Sequence, residues 1–398
     1  MSVRRRTCVA VIFGGRSVEH DVSIVTGHQI IGAFPDELYE VVPVYISRDG
    51  AWYTGDPLLD LENFANKDLL QTAGVMPCLL SPDTRHHGLL VNPLAGRFKK
   101  SDVKRIDVAF PALHGTHGED GSLQGLLELA DIPYVGYATL GSALTNDKAM
   151  TKMVLRQAEV PVLDDFVFSR DSWLDDADQV LAEIQQRLAL PVFIKPATLG
   201  SSIGISRADS LPLLRAGIDI AANFDRRLMI EPAIIDGVEI NCSVIGFGND
   251  CRASTLEQPV AWDEFLSYED KYLRGDEGMK SAERIIPAPI SGALTQRIQQ
   301  LSLRAFQAVD GRGIARIDYL VRPEQDEIYL NEINTMPGSL ALYLWREDGL
   351  SPSQLVQRLV ELAREAQAEK RRNIYDYETN LVSVASQRGL KGSKGAKL

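Results

Sequence analysis

Long apolar runs are missing from this chain. No uninterrupted hydrophobic stretch approaches the roughly 20 residues that cross a bilayer, so no membrane partner is expected. The opening MSVRRRTCVAVIFGG is basic and then apolar. Its apolar part, Cys8 to Phe13, is too short for a secretory signal and no small-residue cleavage site follows, so it reads as a buried first strand. Positive charge is in deficit: 42 Lys and Arg against 54 Asp and Glu leave a formal net charge of −12. That argues against a nucleic-acid partner, although a few local lysines can still make a pocket for an anion. Cysteine is scarce too. Cys8, Cys78, Cys242 and Cys251 lie far apart with no C-x-x-C pair, which excludes a disulfide framework and reads as thiols in the reducing cytoplasm. His86 and His87 are adjacent and do not converge easily on one metal, so they read as a solvated loop. No internal repeat is present.

What remains is a chain of 398 residues, 45% apolar and 24% charged, enough for two or three domains. The strand ending at Phe13 runs into Gly14-Gly15, and a helical pattern covers 22–34. Apolar strands follow at 41–46 and 108–113, with a helix beginning at 121–129. Alternating strands and helices with glycine at the strand exits predict a parallel, Rossmann-like α/β domain over 1–138, with loops and short pieces inserted at 47–96. A helix is expected over 146–159, capped by Asn146 or Asp147, within a central subdomain over 139–230. From residue 229 the pattern turns antiparallel in MIEPAI, VEINCSVIGF, IARIDYLV and EIYLNEIN, and this subdomain is placed at 231–375. A last amphipathic helix starts near Ser351-Pro352 with Leu355, Val356, Leu359, Val360 and Leu362 on one face. Residues 376–398 read as a disordered Gly/Ser/Lys-rich tail.

The chemistry concentrates in 314–334. IARIDYLV and EIYLNEIN flank the turn-like Arg322-Pro323-Glu324-Gln325-Asp326. Symmetric closure of that hairpin sets Arg316 opposite Asn334 and Asp318 opposite Glu332, all on one face. Ile317, Tyr319, Tyr329 and Ile333 then face a core. Two directly opposed carboxylates repel. Either Arg316 neutralises both, or the oxygen-rich set Asp318, Glu332 and Asn334 holds a hard cation such as Mg²⁺.

Lys195 ends a buried strand, Pro191 to Lys195, just before the Gly/Ser loop 198–204. A lysine there needs an anion to offset its desolvation, and small residues let backbone N–H groups approach phosphate oxygens. The lysine precedes the glycines, so this is not a P-loop. Lys148 and Lys152 lie one turn apart and, taken alone, read as solvated. The segment 264–272 mixes aromatics with charge and suits a lid or an ordinary surface loop. Gly14-Gly15 followed by Glu19 stands where Rossmann units bind ligands.

Together, GGRSVEHDVS, PALHGTHGEDGSLQG, TNDKAMTK, FIKPATLGSSIG, IEPAIIDGVE, YEDKY, ARID and NEINTMPG occur in an order that resembles the D-alanine–D-alanine ligases of the ATP-grasp superfamily, over about 7–365. The resemblance implies an α/β ATP-grasp fold, with an N-terminal Rossmann-like domain and two domains clasping ATP. It also implies ATP as co-substrate, two Mg²⁺ or Mn²⁺ ions, a cytoplasmic homodimer, and a place in peptidoglycan synthesis. Carried over residue by residue, Glu19 would hold the first D-alanine's ammonium, with His114 nearby. Lys148 and Lys195 would bind the α- and β-phosphates and Lys271 the γ-phosphate. Glu231 and Ile234 match the adenine hinge and Glu239 the ribose contact. Asp318, Glu332 and Asn334 match the metal ligands, while Arg316 and the Gly338 N–H match the oxyanion-stabilising groups. Ser201 and Tyr272 match a set that fastens the lid together with Glu19.

One departure concerns the acceptor. After NTMPG the chain reads Ser339-Leu340-Ala341-Leu342-Tyr343-Leu344, which puts Tyr343 at the usual serine and Leu344 beside it in the second substrate's pocket. A phenol can still donate a hydrogen bond there but fills more space. Tyr272 matches the tyrosine of dipeptide-forming members, which favours an amine acceptor over D-lactate. The expected reaction is the joining of two D-alanines through an acyl phosphate. The alternatives are a ligase with another amino or hydroxy acid as acceptor, or an inactive nucleotide-binding module.

Overall fold

Strand β1 (Thr7–Gly14) has apolar side chains at both parities, and both sets are buried. Val9, Val11 and Phe13 enter one core cluster, Cys8, Ala10 and Ile12 another. A strand covered on both faces belongs to a sheet layered between other elements. The computed structural model describes residues 5–94, 102–200, 203–260, 284–375 and 377–388. In it β1 pairs in parallel with β2 (Tyr39–Ile46) and β7 (Val108–Pro111), with α1 (His20–Ala33) between β1 and β2. The stretch read as loops instead supplies β3 (Trp52–Thr54), β4 (Met76–Leu80) and β5 (Gly88–Val91). With β6 (Asp102–Arg105) they extend the sheet antiparallel, in the order β6-β5-β4-β3-β2-β1-β7. The sheet is therefore mixed rather than wholly parallel. Helix α2 (Ser122–Leu129) covers one face through Leu123 and Leu127.

The helix expected over 146–159 is α4 (Lys148–Gln157), capped by the Asp147 carboxylate, which accepts from the Met150 N–H; a short α3 (Thr139–Asn146) precedes it. The central sheet, in the order β10-β9-β11-β8, comprises β8 (Phe166–Ser169), β9 (Val192–Pro196), β10 (Ser206–Ala208) and β11 (Arg227–Pro232). Helices α5 (Arg170–Asp175), α6 (Ala177–Arg187) and α7 (Leu211–Ala221) complete this unit. Val192, Ile194, Leu228 and Ile230 pack on α6 and α7. The alternate residues Lys195, Met229 and Glu231 lie on the other face. Since β11 pairs with β8 and β9, the boundary expected at 230/231 would cut a strand; the sheet runs through Pro232.

The C-terminal sheet, in the order β14-β13-β12-β15-β16, consists of β12 (Val238–Phe247), β13 (Asp250–Pro259), β14 (Arg284–Ile285), β15 (Arg312–Arg322) and β16 (Glu327–Asn334). One face buries Ile240, Cys242, Val244, Ala315, Ile317 and Tyr319 against α8 (Gly292–Ala308), with Leu155 of α4 in the same cluster. After α9 (Leu342–Glu347), helix α10 (Pro352–Lys370) starts on a Ser351/Gln354 capping box. Its face of Leu355, Val356, Leu359, Val360 and Leu362 packs in the same cluster as Val9 and Phe110. The chain thus folds back from the last unit onto the first sheet. Leu381–Arg388 forms an exposed α11, in a stretch that composition assigns to a disordered tail.

Candidate active site

The β15–β16 hairpin has the expected register where it matters, with Arg316 opposite Asn334 and Asp318 opposite Glu332. It then departs from symmetry. A bulge between Asp318 and Tyr319 sets Tyr319 opposite Leu330, leaving Asn331 as the extra residue. The slip reverses parity toward the turn, so Leu330, not Tyr329, enters the core. Asn331 is freed to face the central sheet, where its Oδ1 accepts from Lys195 Nζ at 3.1 Å.

Arg316 donates to both carboxylate oxygens of Asp318, Nε to Oδ1 and Nη2 to Oδ2, each at 2.7 Å, and Asn334 Nδ2 donates to Oδ2 at 2.9 Å. Burial pushes the Asp318 carboxyl up to about 7 against the pull of Arg316. Glu332 stands half-buried beside it and lines the crevice. Among the described residues no group of three His, Cys, Asp or Glu gathers. The set is two carboxylates and an amide, all-oxygen donors that suit a hard cation, and a cation would favour ionised Asp318. These residues fit Mg²⁺.

Across the crevice, Lys195 leaves the end of β9 and reaches Glu231 Oε2 at 2.5 Å. Glu231 on β11 is 2% exposed and also pairs with Lys152 of α4. Lys152, read from sequence as solvated, is in fact 2% exposed, because α4 packs its Lys152 face inward. Burial and the Lys195 ammonium push Lys152 down to about 7, with Asp165 pulling the other way. Burial also lowers Lys195, to about 8, opposed by Glu332 and aided by Lys148. Lys148, in the first turn of α4, donates to the Leu199 carbonyl at 2.5 Å, and burial lowers it as well. The Glu231 carboxylate is thus turned into a lysine floor. Ile234 and Glu239 lie half-buried just beyond β11 and on β12, and Glu239 is close enough to Asp318 to raise its carboxyl further.

The N-terminal domain closes the third side. Glu19, just ahead of α1, is 7% exposed. Gly115 (φ +69°) lies close against it: a Cβ there would stand 2.5 Å from Glu19 Oε2 and displace that carboxylate, and the left-handed backbone itself favours glycine. His114 Nε2 bonds the Thr26 hydroxyl at 3.0 Å, and burial pushes the ring down to about 4, so it is neutral and supports the wall from behind. Glu119 accepts from the Gly115 and Met336 N–H groups at 2.9 and 3.0 Å and from Thr335 at 3.3 Å, tying HGEDG to the loop after Asn334. Burial, with Glu19 adding, pushes it up to about 7. Beyond Gly338 that loop takes Ser339, Leu340 and Ala341 at φ 53°, 54° and 47°, a left-handed run that costs non-glycine residues energy. Together the three sides border a crevice with about 80 Å³ of water-accessible space, lined by Glu19, Glu119, Lys148, Gly200, Glu332 and Asn334, among others.

On the acceptor side, the Leu344 side chain is fully buried in the core. The Tyr343 hydroxyl donates to Glu257 Oε1 at 2.6 Å instead of standing free for a substrate. Ser201, Lys271 and Tyr272 lie outside the described residues. Sequence reasoning missed Glu119, Lys152, Glu257, Arg284 and Asn331. Only Lys152 left a signal, its i,i+4 spacing from Lys148.

Residues 8–137 match the family described as D-ala D-ala ligase N-terminus, and 154–361 the family described as D-ala D-ala ligase C-terminus. The chain is similar to the D-alanine–D-alanine ligase of Natranaerobius thermophilus, 40% identical over 93% of this chain and 98% of that one. It is likewise similar to that of Ruminiclostridium cellulolyticum, 39% identical over 92% and 97%. Among solved structures it resembles the VanG D-Ala:D-Ser ligase from Enterococcus faecalis (TM-score 0.77, 30% identity, 90% of this chain and all of that one). It also resembles the D-alanine–D-alanine ligase from Coxiella burnetii (TM-score 0.76, 28% identity, 92% and 98%).

Proposed function

This chain belongs to the D-alanine–D-alanine ligase family, and on that premise we propose how its crevice joins two D-alanines with ATP. The observation that carries the reading is the meeting of Glu19, Lys148, Glu332 and Asn334, from all three units, around one crevice. The activity itself is ATP-dependent ligation in peptidoglycan synthesis. ATP lies between the central and C-terminal sheets, with Lys148 and Lys195 on its α- and β-phosphates and Lys271 on the γ-phosphate. Ile234 and the end of β11 border the adenine, and Glu239 takes the ribose. Asp318, Glu332 and Asn334 would hold the two Mg²⁺ or Mn²⁺ ions that the family resemblance implies, and a bound ion would stabilise charge developing on the phosphoryl oxygens.

Glu19 fixes the first D-alanine through its ammonium group. The carboxylate oxygen of that amino acid attacks the γ-phosphorus, breaking its bond to the β–γ bridging oxygen and releasing ADP. The amine of the second D-alanine then attacks the acyl carbon, loses a proton, and expels inorganic phosphate. Arg316 and the Gly338 N–H stabilise the tetrahedral oxyanion. Ser201 and Tyr272 fasten the lid that keeps water from the acyl phosphate. A cytoplasmic homodimer follows from the family resemblance.

The test is phosphate release and product mass from ATP with D-alanine, L-alanine, other D-amino acids and D-lactate. D-Alanyl-D-alanine as the main product is expected. Efficient coupling of a different acceptor with no D-alanyl-D-alanine would overturn the substrate assignment.

A further inference from the structure

Four side chains at consecutive register positions cross the C-terminal sheet on its crevice face. Glu257 lies opposite Asn241, Asn241 opposite Asp318, and Asp318 opposite Glu332. Strands are about 4.8 Å apart, so Glu257 stands about 10 Å from Asp318 and about 14 Å from Glu332. The Glu332 end faces the lysines, since its charge acts on both Lys148 and Lys195. The Glu257 end lies on the other side of Asp318. There the proposed reaction needs a receptor for the carboxylate of the amino acid whose amine attacks.

Glu257 is 0% exposed and takes three donors: Arg284 Nη1 at 2.9 Å, the Tyr343 hydroxyl at 2.6 Å and Asn241 Nδ2 at 3.2 Å. The Arg284 guanidinium also lies over the Tyr343 ring, 3.9 Å from its centroid. Arg284 is therefore held from two directions, by an ion pair and by stacking. Only Nη1 is used. Among the described residues nothing accepts from its Nε or Nη2, and the side chain is 29% exposed. A planar edge with two donors is what binds a carboxylate in parallel hydrogen bonds.

We propose that Arg284 reads the carboxylate of the acceptor amino acid, with Glu257 as its anchor and Tyr343 as its platform. The proposal rests on the ligase reading of the crevice. The Tyr343 hydroxyl is committed to Glu257, so Tyr343 positions Arg284 and does not itself meet the substrate carboxylate. Three donors share the Glu257 charge, which leaves the outer edge of Arg284 attractive to a second anion. Beyond Asn241 the row continues into Asp318, the nearest member of the metal set, which Arg316 holds.

The experiment compares D-alanine with D-alaninamide, which lacks the carboxylate, as acceptors at saturating ATP. The wild type should prefer D-alanine by about 100-fold, in the range expected for hydrogen bonds to a charged group. R284Q should raise the acceptor KM by about 10- to 100-fold and collapse the preference for D-alanine, with the KM values for ATP and the first D-alanine within about twofold. R284K, which keeps the charge without the planar edge, should fall between the two and serves if R284Q fails to fold. Y343F keeps the platform and should raise the acceptor KM only about threefold, the loss of one ordinary hydrogen bond. Undiminished discrimination in both Arg284 variants would overturn the proposal. So would its loss in Y343F alone, which would make the hydroxyl the receptor. A wild type that forms no D-alanyl-D-alanine would instead defeat the ligase reading, and that failure is seen before any variant is made.

Discussion

Two buried glutamates mark the two ends of the site, and they are held by different chemistry. Glu231, 2% exposed, sits between the ammonium groups of Lys152 and Lys195, both of which burial pushes down, to about 7 and about 8. Glu257, 0% exposed, is held by a guanidinium, a phenol and an amide. Lysine can shed its proton in a dry interior; arginine does not. On the proposed reading, the phosphate end is therefore built from cations whose charge an arriving anion can complete. The acceptor end carries a fork whose charge and plane are set beforehand. If the two ends are specialised in this way, a change at one should leave the other's constants alone.

The largest effect is expected between the ends. Glu332→Gln removes a carboxylate from the oxygen set beside Asp318, and turnover should fall about 10³-fold, the order seen when a group stabilising developing charge is lost. The unfolding temperature should hardly move, because Glu332 is only half-buried. Near-normal turnover at ordinary Mg²⁺ would remove Glu332 from the metal set.

Next comes a pair of stability measurements. Glu231→Gln and Glu257→Gln each break a buried ion pair, at a cost of up to about 3–5 kcal/mol near neutral pH. Their pH dependence should differ. With Glu231 gone, Lys152 is a buried lysine whose folded pKa lies below its unfolded value, so the folded chain binds fewer protons than the unfolded chain and stability rises with pH. The wild-type Lys152 value of about 7 marks the upper edge of the effect, so the Glu231→Gln deficit is largest on the acid side of pH 7 and shrinks as pH rises through it. Arg284 does not titrate there, so the Glu257→Gln deficit should stay flat. Parallel curves from chemical denaturation at pH 6, 7.5 and 9 would erase the distinction.

Much of the geometry at the lysine and oxygen-donor end was legible in the sequence, because it lies in contiguous signals. The hairpin is announced by alternation around a turn, and Lys195 by a strand that ends in a glycine loop. What was hidden depended on register or on distant segments. The bulge at Asn331, which moves Leu330 into the core in place of Tyr329, is invisible without the paired strand. Glu257 and Arg284 come from β13 and β14 and meet Tyr343 of α9 only in three dimensions. The left-handed run at Ser339, Leu340 and Ala341 contains no residue type that would suggest it. The antiparallel strands within 52–91 carry too few alternating residues to stand out from loops.

A smaller effect should follow from Lys195→Ala. A hydrogen bond to a charged group contributes about 1.5–3 kcal/mol, so ATP should bind about 10- to 100-fold more weakly by calorimetry. The acceptor KM and the preference for D-alanine over D-alaninamide should be unchanged. A parallel loss at both ends would mean that the row across the sheet couples them.

The smallest effect tests the comparison most directly. With a pKa of about 8, Lys195 is only about half-protonated at pH 8 in the free protein. A phosphate placed against it favours the ammonium form and raises that pKa. ATP binding at pH 8 should therefore take up about half a proton, read by calorimetry in buffers of unlike ionisation heat. The sign fixes the pH profile: the favourable charge is present below about pH 7 and is lost as pH rises through 8, so affinity should be level on the acid side and decline toward pH 9. Lys195→Arg keeps the charge at every pH and should abolish both the uptake contributed by this residue and its share of the decline. Arg284 lends no such dependence to the acceptor end. If ATP binding to the wild type takes up no protons at pH 8, the lysines are fully charged beforehand, and the phosphate end is as preset as the acceptor end.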